Sequence, residues 1–252
     1  MLSVSLQTGS LEAGYRLTWN FGVYPEVLLR NDTQMIRSVG YGLFITVACL
    51  LISYPLAYTI AVRGGRWKNA LLFMVILPFF VSFVIRTLSW KFVLADEGFL
   101  LGALKSVGLL GEGFRVLGTP MAVLGGLVYN FLPFMALPLY VSLEKMDKSL
   151  LDAAGDLYSN RVTAFFRVTF PLSLPGVFAG SLLTFIPAVG DFINAQILGS
   201  PGTTMIGNVI QREFLVNNDY PQAGALSFIL MVGILVAVAS YARLLGTEEL
   251  TG

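Results

Sequence analysis

The chain has 252 residues, 56% of them hydrophobic and only 12% charged, with a mean hydropathy of +0.75. Such a balance leaves too little polar surface to coat a water-soluble globule, so the bilayer is the natural solvent. A net charge of +1 excludes the broad basic field that recruits nucleic acid; histidine is absent, and the lone Cys49 sits in an apolar run, which excludes imidazole chemistry, an internal disulfide and a cysteine metal cluster.

Residues 1–37 hold no long apolar run and carry Arg16, Arg30 and Arg37. Beyond them, a charge inside hydrocarbon costs roughly 2.5–3.5 kcal/mol on insertion scales, so charge-free stretches mark the membrane crossings. Five such stretches follow in order, at 38–62, 69–85, 116–143, 168–190 and 220–242, each near or above the roughly 17 residues a spanning helix needs. Arg63, Arg66 and Lys68 crowd the first short loop, which the positive-inside rule makes cytoplasmic. Alternation then puts residues 144–167, with Lys145, Lys148, Arg161 and Arg167, inside, and residues 191–219 outside. The loop 86–115 also falls outside despite its four basic residues, and gives the weakest support to this orientation. The amino-terminal tail falls outside too, with no helix before it, and the opening MLSVSLQ reads like the end of an apolar segment. Both features predict a further helix ahead of residue 1.

Within the stretches stand Pro55, Pro78, Pro133, Pro138, Pro175 and Pro187, with glycines such as Gly126 and Gly180. They suit helices that kink and pack closely, although both residue types are common in membrane helices generally.

The cytoplasmic segment 146–176 is helical twice over by pattern. Leu150, Leu151, Ala154, Leu157 and Tyr158 recur at spacings of three and four, opposite Asp152 and Asp156. Ser159 and Asn160 interrupt that face, a second face follows with Val162, Phe165 and Phe166, and Pro171 and Pro175 lead into the next span. On periodicity alone, two amphipathic helices resting on the inner leaflet would satisfy this pattern.

Asp152-Ala153-Ala154, followed at the appropriate distance by Val168, Phe170 and Pro171, resembles the EAA signature of ABC importer permeases. The family usually has glutamate at Asp152, glycine at Tyr158 and leucine at Phe170, so the shape of the turn is expected to differ in this chain. The similarity extends over nearly the whole chain from about Ser10. Leu132-Pro133-Phe134-Met135, Leu137-Pro138-Leu139-Tyr140, Glu144-Lys145-Met146-Asp147-Lys148, Leu77-Pro78-Phe79, Ile85-Arg86 and Ile206-Gly207-Asn208-Val209-Ile210 resemble blocks of the B-type permease subunits of spermidine/putrescine importers.

That resemblance implies an all-α polytopic transmembrane helical bundle of the type I ABC importer permease fold, with six core helices in the family against five spans in this chain. It implies an extracytoplasmic segment 1–37, a transmembrane permease domain 38–246 containing a coupling loop 144–171, and a cytoplasmic tail 247–252. The coupling loop would dock on an ATPase through Leu151, Asp152, Ala153, Ala154, Gly155, Asp156, Leu157, Tyr158 and Phe165. Implied partners are a second homologous permease subunit, two ATPase subunits and an extracytoplasmic substrate-binding protein, all at a bacterial inner membrane and none of them nucleic acid. ATP and magnesium would belong to the ATPase and no cofactor to this chain. No lysine follows a glycine in the sequence, so a phosphate-binding GK loop is absent.

A polyamine cargo needs carboxylates, carbonyls and aromatic faces along its path. Asp191, which ends the fourth charge-free stretch beside Asn194, is the leading candidate, the alternative being a solvated residue at a helix end. Trp90 and Tyr129 are further candidates, with interfacial anchoring and packing as their alternatives, whereas Arg86 would repel a cation and reads as structural. Iron, phosphonates and opines remain open as cargo, since related permeases carry them. A secondary transporter would need an intramembrane relay of acids or histidines, and the five stretches hold no charged residue.

Overall fold

The computed structural model describes residues 1–111, 113–147, 149–150, 153, 157 and 160–244. The chain opens with a one-turn helix α1 (Leu2–Ser5), an antiparallel hairpin β1 (Gln7–Ser10) and β2 (Gly14–Leu17) with Gln7 opposite Leu17, and α2 (Val23–Arg30). The helices α3 (Asp32–Tyr58), α4 (Lys68–Ile76), α5 (Phe83–Val93), α6 (Phe99–Ser106) and α7 (Pro120–Glu144) follow. Then come α8 (Phe170–Gly190), α9 (Ile193–Leu198), α10 (Ile206–Leu215) and α11 (Tyr220–Leu244). A short helical segment Arg161–Ala164 and a π-turn Phe165–Thr169 lead into α8 without a gap.

Four described helical runs are long and apolar enough to cross a bilayer: Asp32–Arg63, Pro120–Glu144, Val162–Gly190 and Tyr220–Arg243. The first and third begin six residues before the charge-free stretches that announced them, because a helix tolerates polar residues in its first turn where chain and solvent meet. Arg37, excluded from the apolar window, is held inside α3 by donating from Nη1 to the Thr204 carbonyl at 3.0 Å.

The second charge-free stretch, 69–85, is not one straight crossing. Gly65–Phe80 and Phe83–Val93 form a pair bent by 94°. The cause is local: Leu77–Phe80 tightens into a 3-10 turn around Pro78, and Val81 (φ −102°, ψ 134°) and Ser82 (ψ 137°) then go extended. Helix resumes when the Arg86 N–H donates to the Ser82 carbonyl at 3.0 Å. Proline lacks an N–H to continue the ladder, yet every residue at the break is uncharged, so hydropathy carries no sign of it. The five stretches therefore become four helical runs plus one bent pair.

α7 is the central helix, flanked by α3 and α8, and the core between them is built on Ile45, Cys49, Leu127, Met135 and Leu139, all fully buried. Two glycines set the α7–α8 distance. A Cβ on Gly176 would lie 2.7 Å from the Pro138 carbonyl oxygen and 2.5 Å from the Ser142 Cβ, and one on Gly180 would lie 3.0 Å from the Met135 carbonyl oxygen. Small residues that let backbones approach supply the packing that lipid, as apolar as leucine, cannot drive.

Cross-links fix the two ends of the bundle. Lys68, at the start of α4, pairs with Glu144, at the end of α7, and lies over the Tyr140 ring at 5.7 Å. At the other end the Gly118 N–H donates to the Leu198 carbonyl at 2.9 Å. The loops after the first and third spans thus share one end, as the expected alternation requires.

Candidate functional site in the membrane core

α8 stops where Asp191 turns extended (φ −65°, ψ 131°), one residue beyond Gly190. Its carboxylate then folds back on the next element: Oδ1 accepts the Asn194 backbone N–H at 2.8 Å, and both oxygens accept from Asn194 Nδ2 at 3.3 Å. Gly207 allows α10 to close over this corner, since a Cβ there would meet the Gly190 carbonyl oxygen at 2.4 Å.

Asn194 carries the connection inward. Its Oδ1 accepts from Asn130 Nδ2 of α7 at 3.0 Å and lies 3.3 Å from the Thr87 hydroxyl of α5, while Asn130 Nδ2 also donates to Thr87 Oγ1 at 3.0 Å. The single Thr87 hydroxyl proton has a nearer acceptor in the Phe83 carbonyl, also at 3.0 Å. Asn194, Asn130 and Thr87 are fully buried and Asp191 is 8% exposed. The cluster joins α5 and α7 to the α8–α9 corner, three parts of the chain remote from one another in sequence, and each donor left unmade in hydrocarbon would cost several kcal/mol.

Of the residues anticipated from sequence, Asp191 and Asn194 come together here. Trp90 and Tyr129 form a second pair, their rings edge to face at 5.5 Å. Trp90 is half-buried, one helical turn beyond Thr87 on α5, and Tyr129 precedes Asn130 on α7, so this pair sits on the two helices that supply Thr87 and Asn130 to the cluster. Thr87 and Asn130 were not anticipated. An amide in the apolar run GLVYNFLPF was the signal available for Asn130; a threonine in a membrane helix gives none.

The segment expected to couple to an ATPase is described only in part: Leu151, Asp152, Ala154, Gly155, Asp156 and Tyr158 lie outside the described residues. Its boundaries are nevertheless marked by caps. Asp147 Oδ1 accepts the Ser149 N–H at 2.9 Å, which holds its carboxyl below the usual range, and Ser149, Leu150, Ala153 and Leu157 are helical. Asn160 Oδ1 accepts the Val162 N–H at 2.9 Å where helix restarts. Ala153 and Leu157 are exposed, Leu157 to 76%. Phe165 instead turns inward: its ring lies edge-on to Tyr54 of α3 at 5.3 Å, and the Tyr54 and Ser173 hydroxyls share a hydrogen bond of 2.7 Å. A groove of about 850 Å³, bordered by Phe79, Phe134, Lys145, Met146, Leu150 and Pro175, runs from the end of the Leu77–Phe80 turn to this segment.

Comparison with known proteins agrees with this architecture. The family model for the binding-protein-dependent transport system inner membrane component matches residues 50–245. The spermidine/putrescine transport system permease protein PotB of Haemophilus influenzae is 42% identical over 233 residues, covering 89% of this chain and 81% of its own length. PotB of Escherichia coli is 39% identical over 218 residues, 86% of this chain and 77% of its own length. Among solved structures, a bacterial ABC transporter that imports the acidic polysaccharide alginate superposes with a TM-score of 0.65 at 18% identity, over 87% of this chain and 82% of that one. The inward-facing MetNI methionine ABC transporter gives 0.62 at 15% identity, over 88% of this chain and 97% of that one. At these identities the two structures establish the fold, and the family match together with the sequence identity establishes kinship. The chain belongs to the family of binding-protein-dependent transport system inner membrane components: it is a multi-pass permease of the bacterial inner membrane.

Proposed function

We propose that this permease is one of two membrane subunits of an ATP-driven importer that moves polyamines, spermidine and putrescine, delivered by an extracytoplasmic binding protein. The observation that carries the cargo is the 42% identity to a spermidine/putrescine permease across 89% of the chain. The site is chemically suited to such a cargo. Asp191 offers a carboxylate at the end of a spanning helix, and Trp90 with Tyr129 offers aromatic faces on the adjoining helices, the two kinds of group that receive an ammonium ion. Asn194 orients the carboxylate through three hydrogen bonds.

ATP hydrolysis is assigned to two separate ATPase subunits, with magnesium bound there, and this chain takes no part in it chemically. The segment 144–171 is the docking element. The exposure of Leu150 and Leu157, each helical, supports that reading, because apolar side chains left open by their own chain are available to a partner. Phe165, wedged on Tyr54, would carry movement of the docked helix into α3 and α8. Closure of the ATPases would then bias the bundle between inward and outward openings.

Uptake of radiolabelled spermidine and putrescine in a strain with and without this gene, with cationic and anionic competitors, tests the assignment. Loss of polyamine uptake alone is the expected outcome. Normal polyamine uptake in the deletion strain, with a defect for an anion or a metal chelate, would replace the cargo.

A further inference from the structure

Arg86 is the first residue after the break whose side chain is buried, at 6% exposure, and its Nε and Nη1 have no hydrogen-bond partner. The Phe83 ring, 5.6 Å from the guanidinium carbon, gives it a cation–π contact and no acceptor. Its neighbour Thr87 turns toward the Asp191 cluster. Arg86 instead borders a separate pocket of about 360 Å³ formed with Val81, Ser89, Trp90, Val93 and Tyr129. Among the described residues the ion pairs join Lys68 to Glu144, Lys105 and Arg115 to Asp96, and Arg212 to Glu213; none involves Arg86. Asp191 is occupied by Asn194.

A guanidinium taken out of water without a counter-charge costs several kcal/mol, and a charged side chain inside a membrane protein is almost always paired. Three sources could provide the missing acceptor. A lipid phosphate fits poorly: the pocket adjoins Tyr129, the tenth of the 25 residues of α7, about 14 Å along the axis from the start of the helix at 1.5 Å per residue. A polyamine carries only ammonium groups and would be repelled. Among the described residues no carboxylate pairs with Arg86, and a carboxylate on another membrane-spanning helix fits its chemistry.

We infer that Arg86 pairs with an aspartate or glutamate contributed by the second permease subunit, so that the pocket beside Trp90 and Tyr129 is a charge-matched contact between the two permeases. This rests on the two-permease reading given above. It also removes an obstacle to that reading, because a neutralised guanidinium no longer repels a polycation passing Trp90 and Tyr129. A planar fork with two free N–H edges favours bidentate carboxylate binding.

The experiment uses the whole transporter, purified from membranes through a tag on this chain. A benzophenone amino acid in place of Ser89, which borders the pocket and is exposed, is irradiated and the adduct identified by mass spectrometry. The expected product joins the two permeases, at a peptide containing an acidic residue. Arg86→Glu is then expected to lower co-purified second permease at least tenfold, and reversing the charge of the identified acid to lysine is expected to restore it. An adduct confined to this chain, to lipid or to the binding protein, or a charge swap without rescue, overturns the inference. Absence of any second permease with the wild-type chain would sink the importer reading itself.

Discussion

Asp191 is held by a neighbour three residues away rather than by a cation, and that arrangement separates its two possible roles. Asparagine in its place keeps an oxygen for the Asn194 N–H at 2.8 Å, so the corner between α8 and α9 persists while the negative charge is lost. Asp191→Asn is therefore expected to reach the membrane at the wild-type level and to slow spermidine uptake at least tenfold. A tenfold loss corresponds to about 1.4 kcal/mol, within the range of one charge-assisted hydrogen bond. Unchanged initial rates over a range of spermidine concentrations would reduce Asp191 to a helix terminator. This residue was visible in the sequence because a charge bounding a charge-free stretch stands out. Asn130 and Thr87 were not, since uncharged polar side chains have no periodic signature and their partners are 64 and 107 positions away.

At the scale of elements, α7 and α8 are joined by contacts between a glycine and a backbone rather than between large side chains. The Pro138 carbonyl cannot yield without moving α7, so a Cβ at Gly176 forces the helices apart. Gly176→Val is expected to destabilise the bundle by about 1–3 kcal/mol, seen as a lowered thermal midpoint in detergent. Gly40→Val and Gly233→Val, where nothing lies within 4 Å of the added Cβ, serve as controls and should leave the midpoint nearly unchanged. The same pair of helices shows what an element-level reading of sequence can achieve. Charge-free length placed α7 to within a few residues, since it is one unbroken helix that begins at a proline. It gave no warning of the 94° bend between α4 and α5, because hydropathy sums composition over a window and is blind to backbone dihedral angles.

For the whole molecule, the proposed transport would require that events at the docking segment reach the Asp191 cluster at the other end of α8. The contact of Phe165 with Tyr54 would be the first in that route, with α8 spanning the distance. Replacing Ala154, at the centre of the EAA-like signature, by arginine is expected to abolish uptake and to reduce co-purification of the ATPase, with the permease still present in the membrane. Retained uptake with normal ATPase association would remove the docking role from this segment.

The amino-acid sequence by itself determined the solvent, the approximate apolar runs and the family, because each depends on quantities that accumulate along the chain: charge-free length and motif blocks in fixed order. The tertiary structure alone decided which polar side chains meet. It joined Asp191 and Asn194 to Asn130 and Thr87, set Trp90 against Tyr129, bent the second charge-free stretch and left Arg86 buried without an acid among the described residues. Those outcomes depend on distances between helices remote in sequence, and such distances are fixed only when glycine contacts and backbone breaks bring the helices together.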